Sequence, residues 1–191
     1  MDDKLKVVAI SGSLRQDSYN KKALRIVARF ATEEGMNIEE IDLKRLVLPI
    51  YDADIESLGF PVSVENIRKI VQSSDVILIA SPEYNHSVTG ALKNAIDWLS
   101  TKINILDGKT AVIFGASTGP FGTLRSQMHL RQILAVLNVF VLPQPQVYIR
   151  FAKEAFDDDD NLVDTKLQNQ LKELIVKSFG LARLTRSLIT K

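Results

Sequence analysis

Three short runs of apolar residues constrain the fold of this chain more than any other feature of its sequence. They lie at residues 7–10, 76–80 and 111–114, and serine, proline or glycine follows each of them. Apolar runs of this length without alternation are typical of strands that are buried on both faces. Helical patterns separate the runs. The sequence therefore predicts an α/β fold with three layers, in which helices cover both faces of a mostly parallel sheet.

Two weaker patterns extend the predicted sheet to five strands. One covers residues 37–43, and the other runs from 139–142 to 147–149 with prolines in its middle. Because proline cannot donate a hydrogen bond within a sheet, the second pattern is expected at an edge. The 191 residues suit a single domain, 1–191. Within it, residues 44–60 are expected to form a surface excursion. The predicted helices cover residues 21–34, 63–72, 88–99, 124–137 and 165–184.

The composition argues against several classes of site and partner. The chain has no cysteine, so it contains no disulfide, thiolate nucleophile or iron–sulfur cluster. A net charge of +1 does not favour nucleic acid or a membrane surface as the main partner. The first apolar run is too short for a signal peptide and no segment reaches the length of a membrane span, so we expect a cytoplasmic protein. The acidic run 157–160 lacks the spacing of a calcium loop, and we expect a solvated loop and no metal site.

The segment SGSLRQDSYN, which follows the first strand, is a candidate anion site. Ligands of open parallel sheets bind beyond the carboxyl ends of the strands, and a helix N-terminus there offers unpaired N–H groups. Ser11, Ser13 and Ser18 add hydroxyl groups. Arg15 adds a cation, and Asn20 adds an amide. This density of donors predicts a phosphate site. Serine and asparagine that merely cap the helix are the alternative.

Spacing argues against two common nucleotide-binding motifs. The dinucleotide fingerprint needs three glycines, whereas this turn has only Gly12. The tripeptide GKT at 108–110 resembles the end of a P-loop, but Ile103 stands where the first glycine belongs. The tripeptide also precedes a predicted strand instead of a helix. We therefore expect neither motif.

Two further segments follow the other central strands and are expected at the same edge of the sheet. In SPEYNHS, an aromatic ring stands beside amide and imidazole groups, which suits a flat heterocycle. In GASTGPFGT, the three glycines Gly115, Gly119 and Gly122 allow close approach of the backbone to a ligand. Taken singly, Tyr84 also suits packing, Asn85 suits a turn, and the glycines suit an ordinary loop.

Four segments together carry a resemblance to a known family. GSLRQDSYN, LPIYDADIE, SPEYNHSVTGALKNAIDWLS and STGPFG, in this order and spacing, resemble the NADPH-dependent FMN reductases from about Leu5 to Ile149. The third segment is the most specific of the four. The resemblance implies a flavodoxin-like fold with strand order 2-1-3-4-5. It also implies bound FMN, NADPH or NADH as electron donor, and acceptors such as quinones, azo compounds, chromate or free flavin.

The resemblance also implies which residues hold FMN. The phosphate would be held by Ser11, Ser13, Arg15, Ser18, Tyr19 and Asn20. The isoalloxazine ring would be lined by Pro82, Glu83, Tyr84, Asn85, His86, Ser117, Thr118, Gly119, Phe121 and Gly122. The chain departs from the family pattern at Thr89, where many members have proline, and at His86, where a larger ring is common. His86 would either donate a proton to the acceptor or shape the rim of the pocket.

The implied chemistry requires no catalytic side chain, because the flavin itself carries the hydride. NAD(P)H would reduce the bound FMN, leave, and be replaced by the acceptor in a ping-pong sequence. Two other functions stay open. One is an FMN-binding electron-transfer module without NAD(P)H turnover, although flavodoxins are usually strongly acidic and this chain is nearly neutral. The other is a sensor or scaffold that has lost the cofactor.

One helical pattern predicts a subunit interface. Apolar residues cover an arc of about 160° on the predicted helix 88–99, which is wider than one core-facing stripe. The resemblance implies a homodimer through this helix, with a tetramer as the alternative, and places the flavin near the interface. Trp98 at the edge of the arc is predicted to lie on that surface. A helix that is buried more deeply within its own subunit is the alternative.

Overall fold

The strands of the sheet follow the order β2-β1-β3-β4-β5 and are all parallel, with β6 also pairing with β4. A computed structural model describes residues 4–189. The observed strand order confirms the order 2-1-3-4-5 that the resemblance implies. The strands are β1 (Lys6–Ser11), β2 (Asn37–Ile41), β3 (Val76–Ala80), β4 (Thr110–Ala116), β5 (Phe140–Val141) and β6 (Val147–Ile149). The helices are α1 (Tyr19–Glu33), α2 (Leu43–Leu46), α3 (Ala53–Ser57), α4 (Val62–Gln72), α5 (Gly90–Ser100), α6 (Leu124–Val136), α7 (Ala152–Ala155) and α8 (Thr165–Ile189).

Alternate residues of the central strands face two separate apolar cores. In β1, Val7 and Ala9 belong to the core that contains residues of α1 and α8. Val8 and Ile10 belong to the core that contains residues of α4, α5 and α6. Because both faces of the strand are covered, every one of these positions excludes a polar side chain. The unbroken apolar runs in the sequence follow directly from this arrangement.

The last position of the sheet differs from the single strand that was predicted. β5 pairs with Thr110 and Ala111 at the start of β4, whereas β6 pairs with residues 114–116 at its end. The stretch between β5 and β6 contains Pro143 and Pro145, which have no N–H group to donate to a neighbouring strand. Over residues 4–189 the sheet therefore has six strands, two of which share one edge of β4.

The excursion at residues 44–60 packs on α5 of its own chain. The carbonyl oxygen of Pro49 accepts hydrogen bonds from Asn94 Nδ2 and Trp98 Nε1, both at 2.8 Å. The N–H of Tyr51 donates to Asn94 Oδ1 at 2.7 Å. The rings of Tyr51 and Phe60 meet the indole of Trp98 edge-on, and Trp98 is 0% exposed. The prediction that Trp98 lies on a subunit surface is therefore wrong, because the chain's own excursion covers it.

The acidic run at 157–160 forms a loop that is tied to α1. Asp160 forms ion pairs with Lys22 and Arg25, and the hydrogen bond from Lys22 lowers the pKa of its carboxyl. Within residues 4–189, no group of three or more His, Cys, Asp or Glu side chains is placed to hold a metal ion. No helix in the same part of the chain is long and apolar enough to cross a membrane.

Candidate functional site

A cavity of about 170 Å³ lies beyond the carboxyl ends of β1, β3 and β4. It joins three segments, which we name the first loop (residues 12–18), the second loop (81–89) and the third loop (117–123). The residues that line it are Ser13, Arg15, Ser18, Tyr19, Asn20, Pro82, Glu83, Tyr84, Ala116, Ser117 and Thr118. The other residues predicted for the site do not line this cavity and lie at the end of β1 or in the second and third loops, namely Ser11, Asn85, His86, Gly119, Phe121 and Gly122.

The first loop is held in shape by its own hydroxyl groups. Ser11 Oγ accepts the N–H of Ser13 at 3.2 Å, and Ser18 Oγ accepts the N–H of Asn20 at 3.2 Å as the N-cap of α1. Each hydroxyl keeps its own hydrogen, and the hydroxyl of Ser18, which lines the cavity, can offer it to a ligand. Gly12 fits closely here, because a Cβ at this position would lie 3.0 Å from both Pro82 Cδ and Thr89 Oγ1 and these side chains would have to shift.

Arg15 is the exposed cation of the first loop. Within the part of the chain that the structure describes, its guanidinium makes one long hydrogen bond, from Nη2 to the carbonyl of Asp17 at 3.5 Å. Such a bond is weak and leaves the remaining donors of the fork available. The first loop therefore offers a cation and hydroxyl groups to the same cavity, a donor set that suits a phosphate.

Asn20 has a structural role that the sequence did not reveal. Its Nδ2 donates to the carbonyl of Ala116 at 2.9 Å, and its Oδ1 accepts the N–H of Ala116 at 2.9 Å. The side chain is buried and ties α1 to the end of β4. Only one amide hydrogen remains, so Asn20 donates at most one hydrogen bond to a ligand. The alternative interpretation of the serines and asparagine as structural groups thus holds in part for Ser18 and Asn20.

The second loop forms a tight hairpin turn. The N–H and C=O groups of Tyr84 and Ser87 bond to each other at 3.1 and 3.0 Å. The two residues between them, Asn85 and His86, have φ of 50° and 63°, the left-handed pair of a type I′ turn. Asn85 is thus a turn residue, as one of the two interpretations had it. Tyr84 is not a packing residue, because 48% of its surface is exposed.

Glu83 points to α6. Its Oε2 accepts the N–H groups of Arg125 and Ser126 at 2.9 and 3.2 Å, and therefore caps the N-terminus of that helix. The hydroxyl of Ser126 donates to the carbonyl of Pro82 at 2.8 Å, and His129 Nδ1 lies 3.1 Å from Ser87 Oγ. No local pattern in the sequence indicates these three α6 residues, because their contacts join positions more than forty residues apart.

The third loop is tied to the segment that follows β6. Ser117 donates its N–H to the carbonyl of Ile149, and Phe151 donates its N–H to the carbonyl of Gly119. Gly122 has φ of +60°, and a Cβ there would lie 3.0 Å from Tyr148 Cβ. Burial, opposed by the nearby Arg131, raises the pKa of the Tyr148 phenol. The phenol is therefore protonated at neutral pH under the third loop.

Larger depressions lie away from this cavity, and two of them have more than three times its volume. One of about 970 Å³ is at the amino ends of β1 and β3, the end of a parallel sheet at which ligands do not usually bind. The other, of about 610 Å³, runs along α5 and is named the α5 groove. It is lined by Leu14, Leu43, Lys44, Val47, Leu48, Ile50, Tyr51, Gly90, Ala91, Lys93, Asn94 and Asp97.

Comparison with known proteins identifies the family. The model of the NADPH-dependent FMN reductase family matches residues 5–154. The chain belongs to this family. It is 46% identical over 179 residues to an NAD(P)H-dependent FMN reductase of Pseudomonas aeruginosa, covering 91% of this chain and 95% of that protein. It is 38% identical over 183 residues to an NAD(P)H:quinone oxidoreductase of Solanum tuberosum, covering 93% of each.

A solved structure agrees with this placement in the FMN reductase family. The flavoenzyme NAD(P)H:(acceptor) oxidoreductase FerB of Paracoccus denitrificans superimposes with a TM-score of 0.85 at 29% identity. The superposition covers 95% of this chain and 98% of FerB. The structure of the present chain also explains how this FMN reductase family member accommodates Thr89 where many members have proline. The threonine hydroxyl donates to the carbonyl of Gly12 at 2.7 Å and so joins the second loop to the first.

Proposed function

We propose that this protein is an FMN-dependent NAD(P)H oxidoreductase that reduces quinones, azo compounds, free flavin or similar acceptors. The observation that carries the proposal is the meeting of all three loops at one cavity in a chain of the FMN reductase family. The relatives named above reduce FMN or quinones at the expense of NAD(P)H, as their names state. Those activities support the same chemistry here.

The donor set of the cavity fits FMN. Ser13, Arg15 and Ser18 offer hydroxyl groups and a cation to the phosphate, and the N-terminus of α1 adds its dipole. The one acidic lining residue, Glu83, has its charge compensated by two N–H groups of α6 and by Arg125. Pockets for whole ligands usually span about 300–1,000 Å³, so this cavity takes the phosphate end. The ring would then lie over the exposed turn of the second loop and the third loop.

The protein's part in the reaction is to bind and orient. Bound FMN supplies the hydride acceptor and passes electrons onward, so no pair of acid and base side chains is needed. Tyr84, Asn85 and His86 form the exposed wall against which donor and acceptor would approach in turn. The exposed position of His86 suits contact with the acceptor. Pro82 and Glu83, which are fixed by α6, hold this wall in place.

The test of the proposed function uses the purified protein loaded with FMN. We expect a flavin absorbance spectrum that NADPH or NADH bleaches and that a quinone restores, with steady-state turnover of both substrates. Parallel lines in double-reciprocal plots would support the ping-pong order. An electron-transfer module would bind FMN but show no turnover with NAD(P)H. A protein without affinity for FMN would contradict the proposal.

Arg15 provides the sharpest check of the phosphate assignment. Replacing Arg15 with alanine is expected to raise the dissociation constant for FMN about tenfold, since one charge-assisted hydrogen bond is worth about 1.5–3 kcal/mol. Riboflavin lacks the phosphate, and its affinity should change little. Quenching of flavin fluorescence measures both constants. The control is Arg45→Ala, which removes an exposed arginine of α2. Equal losses for FMN and riboflavin would contradict the assignment.

We infer that the protein is a homodimer through the α5 groove. The groove is largely apolar, and Val47 and Ile50 on its rim are 76% and 83% exposed. A twofold interface requires one surface that carries both a recess and the side chains that fill it. This surface has both the α5 groove and the exposed side chains of Val47 and Ile50. Leu14 of the first loop also lines the groove, so the surface lies beside that loop. The homodimer implied by the family resemblance points to the same helix.

The homodimer has a direct test in the charge variant Ile50→Glu. Because a carboxylate in an apolar interface has no partner, the dimer dissociation constant should rise about 100-fold or more. Light scattering across a dilution series measures it. Val136→Glu, at an 87% exposed position at the end of α6, should leave the dimer intact. A monomeric wild-type protein, or Ile50→Glu with unchanged dimerisation, would refute this interface.

We also propose that the chain, 1–191, acts as one FMN-binding domain in the cytoplasm. Support for one domain comes from α8, because Leu171 and Ile175 share a core with Val7 of β1. Support for the location comes from NAD(P)H, which is an intracellular reductant.

A further inference from the structure

Arg125 stands at the junction between α6 and the wall of the cavity. Its backbone N–H is one of the two that bond to Glu83, and Glu83 lines the cavity. Its side chain is 39% exposed. The first turn of α6 thus carries an accessible guanidinium next to the proposed flavin site, at the third loop and away from Arg15.

Glu83 neutralises this guanidinium only in part. The distance from Arg125 Nη1 to Glu83 Oε1 is 3.5 Å, whereas strong charge-assisted hydrogen bonds span about 2.7–2.9 Å. The other carboxylate oxygen is occupied by the two backbone N–H groups at 2.9 and 3.2 Å. Among residues 4–189, the guanidinium makes no hydrogen bond other than the long one to Glu83. Several of its donors are therefore available to a ligand.

An aromatic ring gives this cation a flat partner. The guanidinium carbon of Arg125 lies 4.8 Å from the centroid of the Phe121 ring, and Phe121 is 52% exposed. A planar guanidinium stacked on a ring is held in place for recognition of a phosphate, and Arg suits this role better than Lys. Phe121 and Arg125 together form a cationic platform at the mouth of the site.

We propose that Arg125 binds a phosphate group of the pyridine nucleotide that donates the hydride. This inference rests on the proposed function and adds to that function a residue that recognises the electron donor. The FMN phosphate already has a cation in Arg15. A second cation in the mouth suits a second phosphorylated ligand, and its exposed position suits one that leaves in every turnover. Two sources of the phosphate fit the same chemistry: the diphosphate shared by NADH and NADPH, and the 2′-phosphate of NADPH alone.

The test compares FMN-loaded wild-type protein with Arg125→Ala, using NADPH and NADH at a saturating quinone concentration. The KM for the donor is expected to rise about five- to tenfold, by more than kcat falls, because an exposed guanidinium gives a modest gain. A rise for NADPH alone assigns the 2′-phosphate, and equal rises for both donors assign the diphosphate. The KM for the quinone and the dissociation constant for FMN should stay within about twofold of the wild-type values.

A binding measurement and two variants separate recognition from structural support. Adenosine 2′,5′-bisphosphate and ADP serve as competitive inhibitors, the first carrying the 2′-phosphate and the second the diphosphate. The inhibitor that carries the phosphate bound by Arg125 should inhibit Arg125→Ala about five- to tenfold more weakly than it inhibits the wild-type protein. Arg125→Lys keeps the charge and should recover most of the affinity. The matched control is Arg29→Ala, which removes another arginine that lies near a phenylalanine ring, on α1. Arg29→Ala should leave the KM for NADPH and the KM for NADH unchanged.

Two results would overturn the inference while leaving the proposed function intact. One is an unchanged KM for both donors in Arg125→Ala, with unchanged inhibition by both adenosine phosphates. The other is a loss of FMN affinity and thermal stability that accounts for all of the change, which would make Arg125 a structural partner of Glu83. If the wild-type protein bound no FMN or oxidised no NAD(P)H, the proposed function itself would fail first.

Discussion

Replacing Gly115 with alanine is expected to lower the free energy of unfolding by about 3–5 kcal/mol and to leave little soluble protein. Gly115 lies in β4 and faces the start of the second loop. A Cβ there would lie 2.3 Å from the carbonyl oxygen of Ser81 and 2.3 Å from Thr123 Oγ1. The first of these atoms belongs to the backbone and cannot rotate away. The sheet must therefore shift, which costs more than the usual 1–3 kcal/mol of an overpacked core.

Two other glycines provide matched controls for this variant. A Cβ at Gly180, within α8, would meet open space, so Gly180→Ala should stabilise the protein by about 0.5–1 kcal/mol. Gly119→Ala, in the third loop, would meet only Ser117 Oγ at 3.7 Å and should be nearly neutral. Urea unfolding followed by circular dichroism measures all three. A Gly115→Ala protein with wild-type stability would contradict the close approach of β4 to Ser81.

Replacing Asn20 with alanine is expected to lower the free energy of unfolding of the FMN-free protein by about 2–4 kcal/mol. The change removes both hydrogen bonds to Ala116 and leaves a buried N–H and a buried C=O group without partners. The FMN-free protein must be measured, because a ligand that binds only the folded state would hide part of the loss. A residue that served only the ligand would leave this stability unchanged.

The neighbouring cap supplies the comparison for Asn20. Ser18→Ala removes one N-cap hydrogen bond and should cost about 1 kcal/mol. Asn20→Asp keeps an acceptor for the N–H of Ala116 but sets a buried carboxylate oxygen against its carbonyl oxygen, and should destabilise the protein at least as much as Asn20→Ala. If Ser18→Ala were the more damaging of the two alanine variants, the structural role given to Asn20 would be wrong.

Local patterns were sufficient for the elements that build the sheet. The apolar runs located β1, β3 and β4 because both faces of each strand are buried, which leaves an unbroken signal in the sequence. The helix boundaries followed from local residues to within a few positions. α5, for example, begins at Gly90 instead of residue 88, because Thr89 is its N-cap. The single edge strand expected over residues 139–149 is divided into β5 and β6, because prolines interrupt the pattern between them.

Long-range contacts account for what the sequence did not reveal. Glu83 lines the cavity, and its carboxylate also bonds to N–H groups of α6 more than forty residues away, a role that no local pattern indicates. Trp98 was assigned to a subunit surface, yet the excursion returns to cover it. Both outcomes depend on which segments the fold brings together, and periodicity along one helix or loop contains no such information. The meeting of the three loops at one cavity followed from the rule for parallel sheets.

The left-handed backbone at Asn85 and His86 limits which residues can replace them in the proposed wall of the acceptor site. Directed evolution would naturally vary both positions, since they stand at the exposed tip of the hairpin. However, β-branched residues tolerate positive φ poorly, so a library that admits valine or isoleucine there would mostly sample broken turns. Variation at Tyr84 leaves the turn's backbone bonds in place, and new specificities are therefore best sought at that position.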